Sequence, residues 1–285
     1  MLRTFILMTL LILIFMFVGN AVAGEQGMKI AFLLACGMNF FSYFFSDKLV
    51  LKQYNAKQVT EQSSPELYNI VSGLVKVDGL PMPKVFIVPD EVPNAFATGR
   101  NPENAAVAVT KGALNLLSAE ELEGVLAHEI SHVKHHDILI SSVAAVFAGA
   151  ISMMANTVRY RNGANINTSN NRANGSSGGI LAALLMPIAA SIIQMSISRT
   201  REYKADEGAA RITKHPEWLM SALQKLEHYA QNYRMQKATS QTAHMFIINP
   251  LHGFGGLSGL FSTHPSTKDR LARLEQIRQD LNKNL

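Results

Sequence analysis

Residues 4–23, TFILMTLLILIFMFVGNAVA, form an unbroken apolar run without a charged side chain. Twenty helical residues span roughly 30 Å, the thickness of a bilayer's hydrocarbon core. Three further runs follow: IAFLLACGMNFFSYFF at 30–45, ILISSVAAVFAGAISMMANTV at 138–158 and ILAALLMPIAASIIQMSI at 180–197. None contains a charge. The second is short for a span, but its aromatic end suits a membrane interface. Pro187 interrupts the fourth, which membrane helices tolerate better than soluble ones. Buried core helices would read the same way, most readily for the third and fourth runs. Arg3 and the AVAG sequence also resemble a cleavable signal peptide, but the second apolar run favours an uncleaved anchor.

These runs divide the chain into two N-terminal transmembrane helices (1–46), a soluble segment (47–137), a membrane hairpin with a polar loop (138–197, loop 159–179) and a second soluble segment (198–285). Lys and Arg near the span ends set orientation. Arg3, Lys48, Lys52, Lys57, Lys134, Arg199, Arg201, Lys204, Arg211 and Lys214 lie on one side, against Lys29, Arg159, Arg161 and Arg172 on the other. Both termini and both soluble segments are therefore expected in the cytoplasm, although the loop arginines pull the other way. The lone Cys36 excludes a disulfide framework within the chain, as suits a reducing compartment. The net charge of +5 is modest, and its lysines and arginines stand beside the spans. An anionic lipid bilayer accounts for them better than nucleic acid does.

The soluble segments read as mainly α with a small β-sheet. SSPELYNIVSGLVKV spaces apolar residues as a helix does, with Pro81 and Pro83 expected to end it. Short β-like pieces follow at 84–88, 94–98 and 105–110. SAEELEGVLAHEISHVKHHD then predicts a helix. Ser118 and Glu121 can form its capping box, and Leu122, Val125, Leu126 and Ile130 its core face. PEWLMSALQKLEHYAQ and the terminal STKDRLARLEQIRQDLNK predict two more helices, the latter with Leu271, Leu274, Ile277 and Leu281 on one face.

Within the HEISH stretch, His128 and His132 stand four residues apart and project from one helix face, so both can reach one metal ion. Glu129 beside them is placed to act as general base on water activated by the metal. His135 lies two turns beyond His128, roughly 10 Å along a helix, too far to join the same ion. No Gly turns the chain before His136. His135, His136 and Lys134 read as a basic helix end near the membrane, and Asp137 as a partner for a nearby base or a cap. A third ligand must come from elsewhere. Glu202 in SRTREYKAD is the best candidate, because Asp206 at i+4 can hold the free N–H of a ligating His.

HEISH, SRTREYKAD, two spans before and two between these motifs, and the upstream NAFATG strand resemble the HtpX membrane metallopeptidases. These are gluzincins related to the CAAX prenyl endopeptidases, and the resemblance covers essentially the whole chain. It implies a zincin-like (gluzincin) domain fused to transmembrane helices. It also implies one Zn2+ held by His128, His132 and Glu202, with Glu129 as catalytic base. The expected protein is an inner-membrane protease facing the cytoplasm whose protein substrates are damaged or misfolded membrane proteins. By the same resemblance Asn94, Ala95 and Phe96 lie on a strand that pairs with substrate backbone, and His264 helps stabilise the oxyanion. A turn-forming Asn94 and a capping or surface His264 are the structural alternatives. Two rival functions share most of these features. A prenyl-protein endopeptidase would need a chamber for a lipidated tail, for which four spans are few. A non-catalytic membrane chaperone or adaptor with structural zinc would have no use for Glu129. A transporter is disfavoured by the absence of charge within the spans.

Overall fold

The computed structural model describes residues 2–147, 198–232 and 265–283. Helix α1 (Leu2–Gln53) breaks at Ala23 and Gly24 and folds back on itself. Gly24 has φ 60°, a left-handed conformation that a side chain would disfavour. Leu7 and Leu11 of the first half share a cluster with Met38 and Tyr43 of the second. Asn39 Nδ2 also donates to Met8 O across the pair at 3.0 Å. The second half, Ala23–Gln53, is long and apolar enough to cross a membrane, and Thr4–Asn20 forms a shorter apolar helix. The second helix runs well past residue 46, the boundary expected from the apolar run, because Asp47–Gln53 holds no helix breaker and packs Val50 and Leu51 into a buried cluster.

A four-stranded sheet follows, in the order β1 (Lys57–Val59), β2 (Lys84–Val88), β4 (Ala105–Thr110), β3 (Ala95–Gly99). Strands β2 and β4 are parallel, and the other pairs are antiparallel. Three strands match the β-like pieces within one residue. The three-residue β1 carries a single Val and gives no periodic signal. Between β1 and β2, α2 (Pro65–Asp78) ends one turn earlier than its prolines suggest. Gly79 at φ 65° caps it, and Leu80 N–H closes the end on Val75 O at 2.9 Å.

The short helix α3 (Lys111–Leu116) leads into α4 (Ala119–Lys134), whose capping box is present: Ser118 N–H donates to Glu121 Oε2 at 2.8 Å and Glu121 N–H to Ser118 Oγ at 3.3 Å. Its face of Leu122, Val125, Leu126 and Ile130 is buried in the main core. Helix α4 stops where His136 takes φ 58°, and the apolar helix α5 (Ile138–Phe147) begins two residues later. It packs on the α1 pair through Leu139, Val143 and Phe147. The remainder of the third apolar run, the polar loop and the fourth run lie outside the described residues.

Helices α6 (Arg199–Thr213), α7 (Pro216–Asn232) and α8 (Thr267–Lys283) complete the core around α4. Leu219, Leu223, Leu226 and Leu274 supply its apolar side chains. Of the apolar face expected on α8, Leu274 is buried, and Leu271 and Ile277 pack partly against the core.

Candidate metal centre

The site forms where α4 and α6 come into contact. Helix α6 turns a face of Ala205, Gly208 and Ala209 towards α4, small residues that let two backbones approach. The fit is tight, since a Cβ added at Gly208 would lie 2.1 Å from Ser131 Oγ. The same face carries Glu202 and Asp206 one turn apart, and both are buried. The close approach delivers Glu202 to the two histidines of α4.

His128, His132 and Glu202 each bring one donor atom into a common space. The histidine Nε2 atoms are 3.2 Å apart. Glu202 Oε2 lies 3.6 Å from His128 Nε2, and its Oε1 3.6 Å from His132 Nε2. Tetrahedral zinc, with bonds of about 2.0–2.1 Å, holds neighbouring donors about 3.3 Å apart. The two Nε2 atoms match that spacing, Glu202 meets each histidine through a different oxygen with the three donor atoms within 4.8 Å of one another, and two imidazoles with one carboxylate suit zinc chemically.

Each histidine also has a carboxylate at its other nitrogen. His128 Nδ1 lies 2.9 Å from Asp206 Oδ1. His132 Nδ1 lies 3.3 Å from Asp137 Oδ2. A carboxylate there fixes the tautomer and leaves Nε2 free to bind metal. Both carboxylates are paired in turn. Arg270 of α8 grips Asp206 with two bonds, Nη2 to Oδ1 at 2.6 Å and Nε to Oδ2 at 2.9 Å. Arg201 Nε reaches Asp137 Oδ1 at 3.5 Å.

Burial sets the electrostatics. Arg270 and Asp206 are each 1% exposed. Burial alone would push the Asp206 carboxyl up, but Arg270 and the bond from His128 outweigh it and hold it down at about 2. Burial likewise pushes His128 down, yet its bonds to Asp206 and Glu202 prevail and raise it to about 9. Burial disfavours the charge on Arg270, and the Asp206 carboxylate more than restores it.

Glu129 is buried beside the donors and makes no ligand contact, and its Oε2 accepts from Ala97 N–H of β3 at 2.9 Å. Strand β3 is the sheet edge nearest α4. Asn94 O accepts from Thr110 N–H at 2.9 Å, which turns the backbone groups of residues 94, 96 and 98 towards β4. Those of Ala95, Ala97 and Gly99 then face the opposite edge, where Ala97 N–H donates to Glu129 and Gly99 N–H to Ser142 Oγ at 3.3 Å. The Asn94 side chain is buried. Phe96 points to the far face, into a cluster with Val50, Leu51 and Tyr54. Of the expected strand, then, Ala95 and Ala97 lie at the metal-facing edge through their backbone, while the Phe96 ring packs away from it. His264 lies outside the described residues.

His135 turns away from the ligand triad, with Nδ1 2.8 Å from Ser131 O. His136 Nδ1 reaches Lys134 O at 3.2 Å. Sequence reasoning missed Arg270, although a signal existed: it falls in register with Leu274 and Ile277 on the apolar face of α8, where an unpaired charge would be costly.

The model of the family described as "Peptidase family M48" matches residues 61–278. A protein of Campylobacter hominis named "Protease HtpX homolog" is 65% identical over 281 residues, covering 98% of this chain and 99% of that one. One of the same name from Campylobacter curvus is 60% identical over 282 residues, covering 98% of each chain. The crystal structure of S. mikatae Ste24p matches with a TM-score of 0.52 at 17% identity, covering 93% of this chain and 62% of that one. That last likeness concerns the fold alone, and it fits a zincin-like domain joined to apolar N-terminal helices. On the family match and these identities, the chain belongs to peptidase family M48 and is a metalloprotease.

Proposed function

We propose that this membrane metallopeptidase is a zinc endopeptidase whose ligands are His128, His132 and Glu202 and whose general base is Glu129. Its two N-terminal helices and a second hairpin within 138–197 hold it in a plasma membrane of bacterial type, with the site on the cytoplasmic side. Its substrates are damaged or misfolded membrane proteins. The observation that carries the reading is the meeting of three donors within 4.8 Å of one another beside a buried carboxylate that bonds instead to the β3 backbone.

Zinc at the three donors would supply Lewis acidity, polarising a scissile carbonyl and lowering the pKa of water. Every other part of the proposed reaction belongs to the chain. Asp206 and Asp137 hold the two imidazoles so that each presents Nε2. Glu129 takes a proton from the attacking water and returns it to the leaving amine. Its bond from Ala97 N–H ties the base to the strand along which substrate would lie. An extended peptide adds to this edge of β3 by backbone hydrogen bonds, at groups other than the Ala97 and Gly99 N–H already bonded to Glu129 and Ser142. The start of α5 four residues after the end of α4 keeps the site close to the membrane helices, which supports substrates that are membrane proteins.

The ligand set is tested by elemental analysis of purified variants. His128→Ala, His132→Ala and Glu202→Ala should each lose zinc, while His135→Ala and His136→Ala keep one equivalent. Full zinc retention in Glu202→Ala would overturn the set.

A further inference from the structure

We infer that the cavity at the end of the second membrane helix binds the headgroup of a phospholipid that carries a phosphodiester and donates hydrogen bonds, such as phosphatidylethanolamine or phosphatidylglycerol. The inference rests on the membrane part of the function proposed above. The cavity holds about 530 Å³, within the roughly 300–1,000 Å³ usual for small-molecule sites.

Three cations from separate elements line it: Lys48 at the end of α1, Lys84 opening β2 and Arg100 just after β3. Among the described residues, none of the three has a carboxylate within ion-pair distance. Two instead lie over aromatic faces, Arg100 over Phe44 at 5.3 Å and Lys48 over Phe45 at 5.4 Å. Such stacking orients a cation but leaves its N–H donors available to an anion.

The cavity's level on the helix narrows the choice of anion. The exposed apolar surface of α1, with Leu33, Leu34, Phe40 and Phe41, ends at Phe45, and charge begins at Asp47 and Lys48. That boundary is where hydrocarbon meets headgroups. Phe40 and Phe44 form the membrane side of the cavity, so an acyl chain can leave along them while its phosphate meets the cations.

Asp47 and Glu103 line the same space. A bare anion would meet them unfavourably. An ethanolamine ammonium or a glycerol hydroxyl would donate to them, whereas choline has no N–H or O–H to give. The lining therefore selects by headgroup chemistry as well as by charge. Arg100 directly follows β3, so a bound headgroup would anchor one end of the strand proposed to receive substrate.

The test uses the full chain, purified with zinc in mild detergent. It is offered equal amounts of phosphatidylethanolamine, phosphatidylglycerol and phosphatidylcholine, and retained lipid is counted by native mass spectrometry. The first two should be retained in preference to the third. Lys48→Gln and Lys84→Gln should each weaken retention about fivefold, the effect of one cation near a lipid surface. Asp47→Asn with Glu103→Gln should narrow the preference over phosphatidylcholine. Zinc content equal to wild type certifies that each variant is folded. Equal retention of all three lipids, or unchanged retention in the lysine variants, would overturn the site. So would displacement of the lipid by millimolar inorganic phosphate or by an acidic peptide, since a free anion or a protein segment would then be the better ligand. Flotation of the wild-type protein with vesicles of the same lipids separates the two layers of the argument. Failure to float sinks the membrane reading, while flotation without headgroup preference sinks only this site.

Discussion

The two histidines of the candidate centre are supported by the same pair of residue types, yet the supports differ in kind. His128 leans on Asp206 and Arg270, which are joined by two short bonds and are almost wholly buried. His132 leans on Asp137 and Arg201, which are 14% and 13% exposed and make one longer contact. Water reaches the second pair and is excluded from the first. A buried charge pair loses its solvation and becomes dangerous to break, whereas a pair that keeps some contact with water can exchange its partner for it. The His128 side therefore sets the geometry of the centre, and the His132 side can adjust, as a site that must admit a substrate requires.

The largest effect should come from Arg270→Met, which strands the Asp206 carboxylate in the core. The expected cost is about 3–5 kcal/mol of stability, read by thermal melting in detergent with zinc present. Adding Asp206→Asn to that variant should recover much of the stability but not the zinc affinity, because the Nδ1 partner of His128 is changed. Recovery of both would mean that the pair is packing alone.

A second difference lies in pH. His128 is raised from 6.5 to about 9, so the stability it draws from Asp206 and Glu202 is fully present below 6.5 and is lost as pH rises through 9. Zinc must displace the same proton to bind. The chelator-stripped protein should thus lose melting temperature between pH 6.5 and 9, and the stabilisation conferred by zinc should grow over that window. A flat profile for the stripped protein would contradict the His128–Asp206 arrangement.

The smallest effect is expected on the exposed side. Asp137→Asn should weaken zinc binding about tenfold, the low end for a residue that orients a ligand, against about a hundredfold for Asp206→Asn. Competition with a coloured chelator measures both. Equal losses would erase the distinction between the two supports.

The same contrast explains what could be read from the sequence. HEISH is legible because both ligands sit on one helix, where a spacing of four fixes their common face. Glu202 is legible through Asp206 at the same spacing. The capping box of α4 and its apolar face are equally local. The apolar register of α8 hints that Arg270 is buried, but no short pattern names its partner or that of Asp137, since these act across chain separations or through a helix stop. The left-handed turn at His136 aims Asp137 back at His132, although nothing in HHD requires a turn there. The direction of Phe96 depends on which side of β3 receives α1, a tertiary fact. Strand β1 exists because β2 offers it an edge, and its own three residues carry no pattern.

The central claim is that Glu129 acts as a base and not as a ligand, and Glu129→Gln tests it most directly. Gln keeps the size and can still accept from Ala97 N–H. Zinc content and cleavage of an unfolded protein should be measured on the same detergent-solubilised preparation. The account predicts zinc at the wild-type level with hydrolysis lower by roughly 100- to 10,000-fold. Undiminished cleavage by a zinc-loaded Glu129→Gln protein would contradict it.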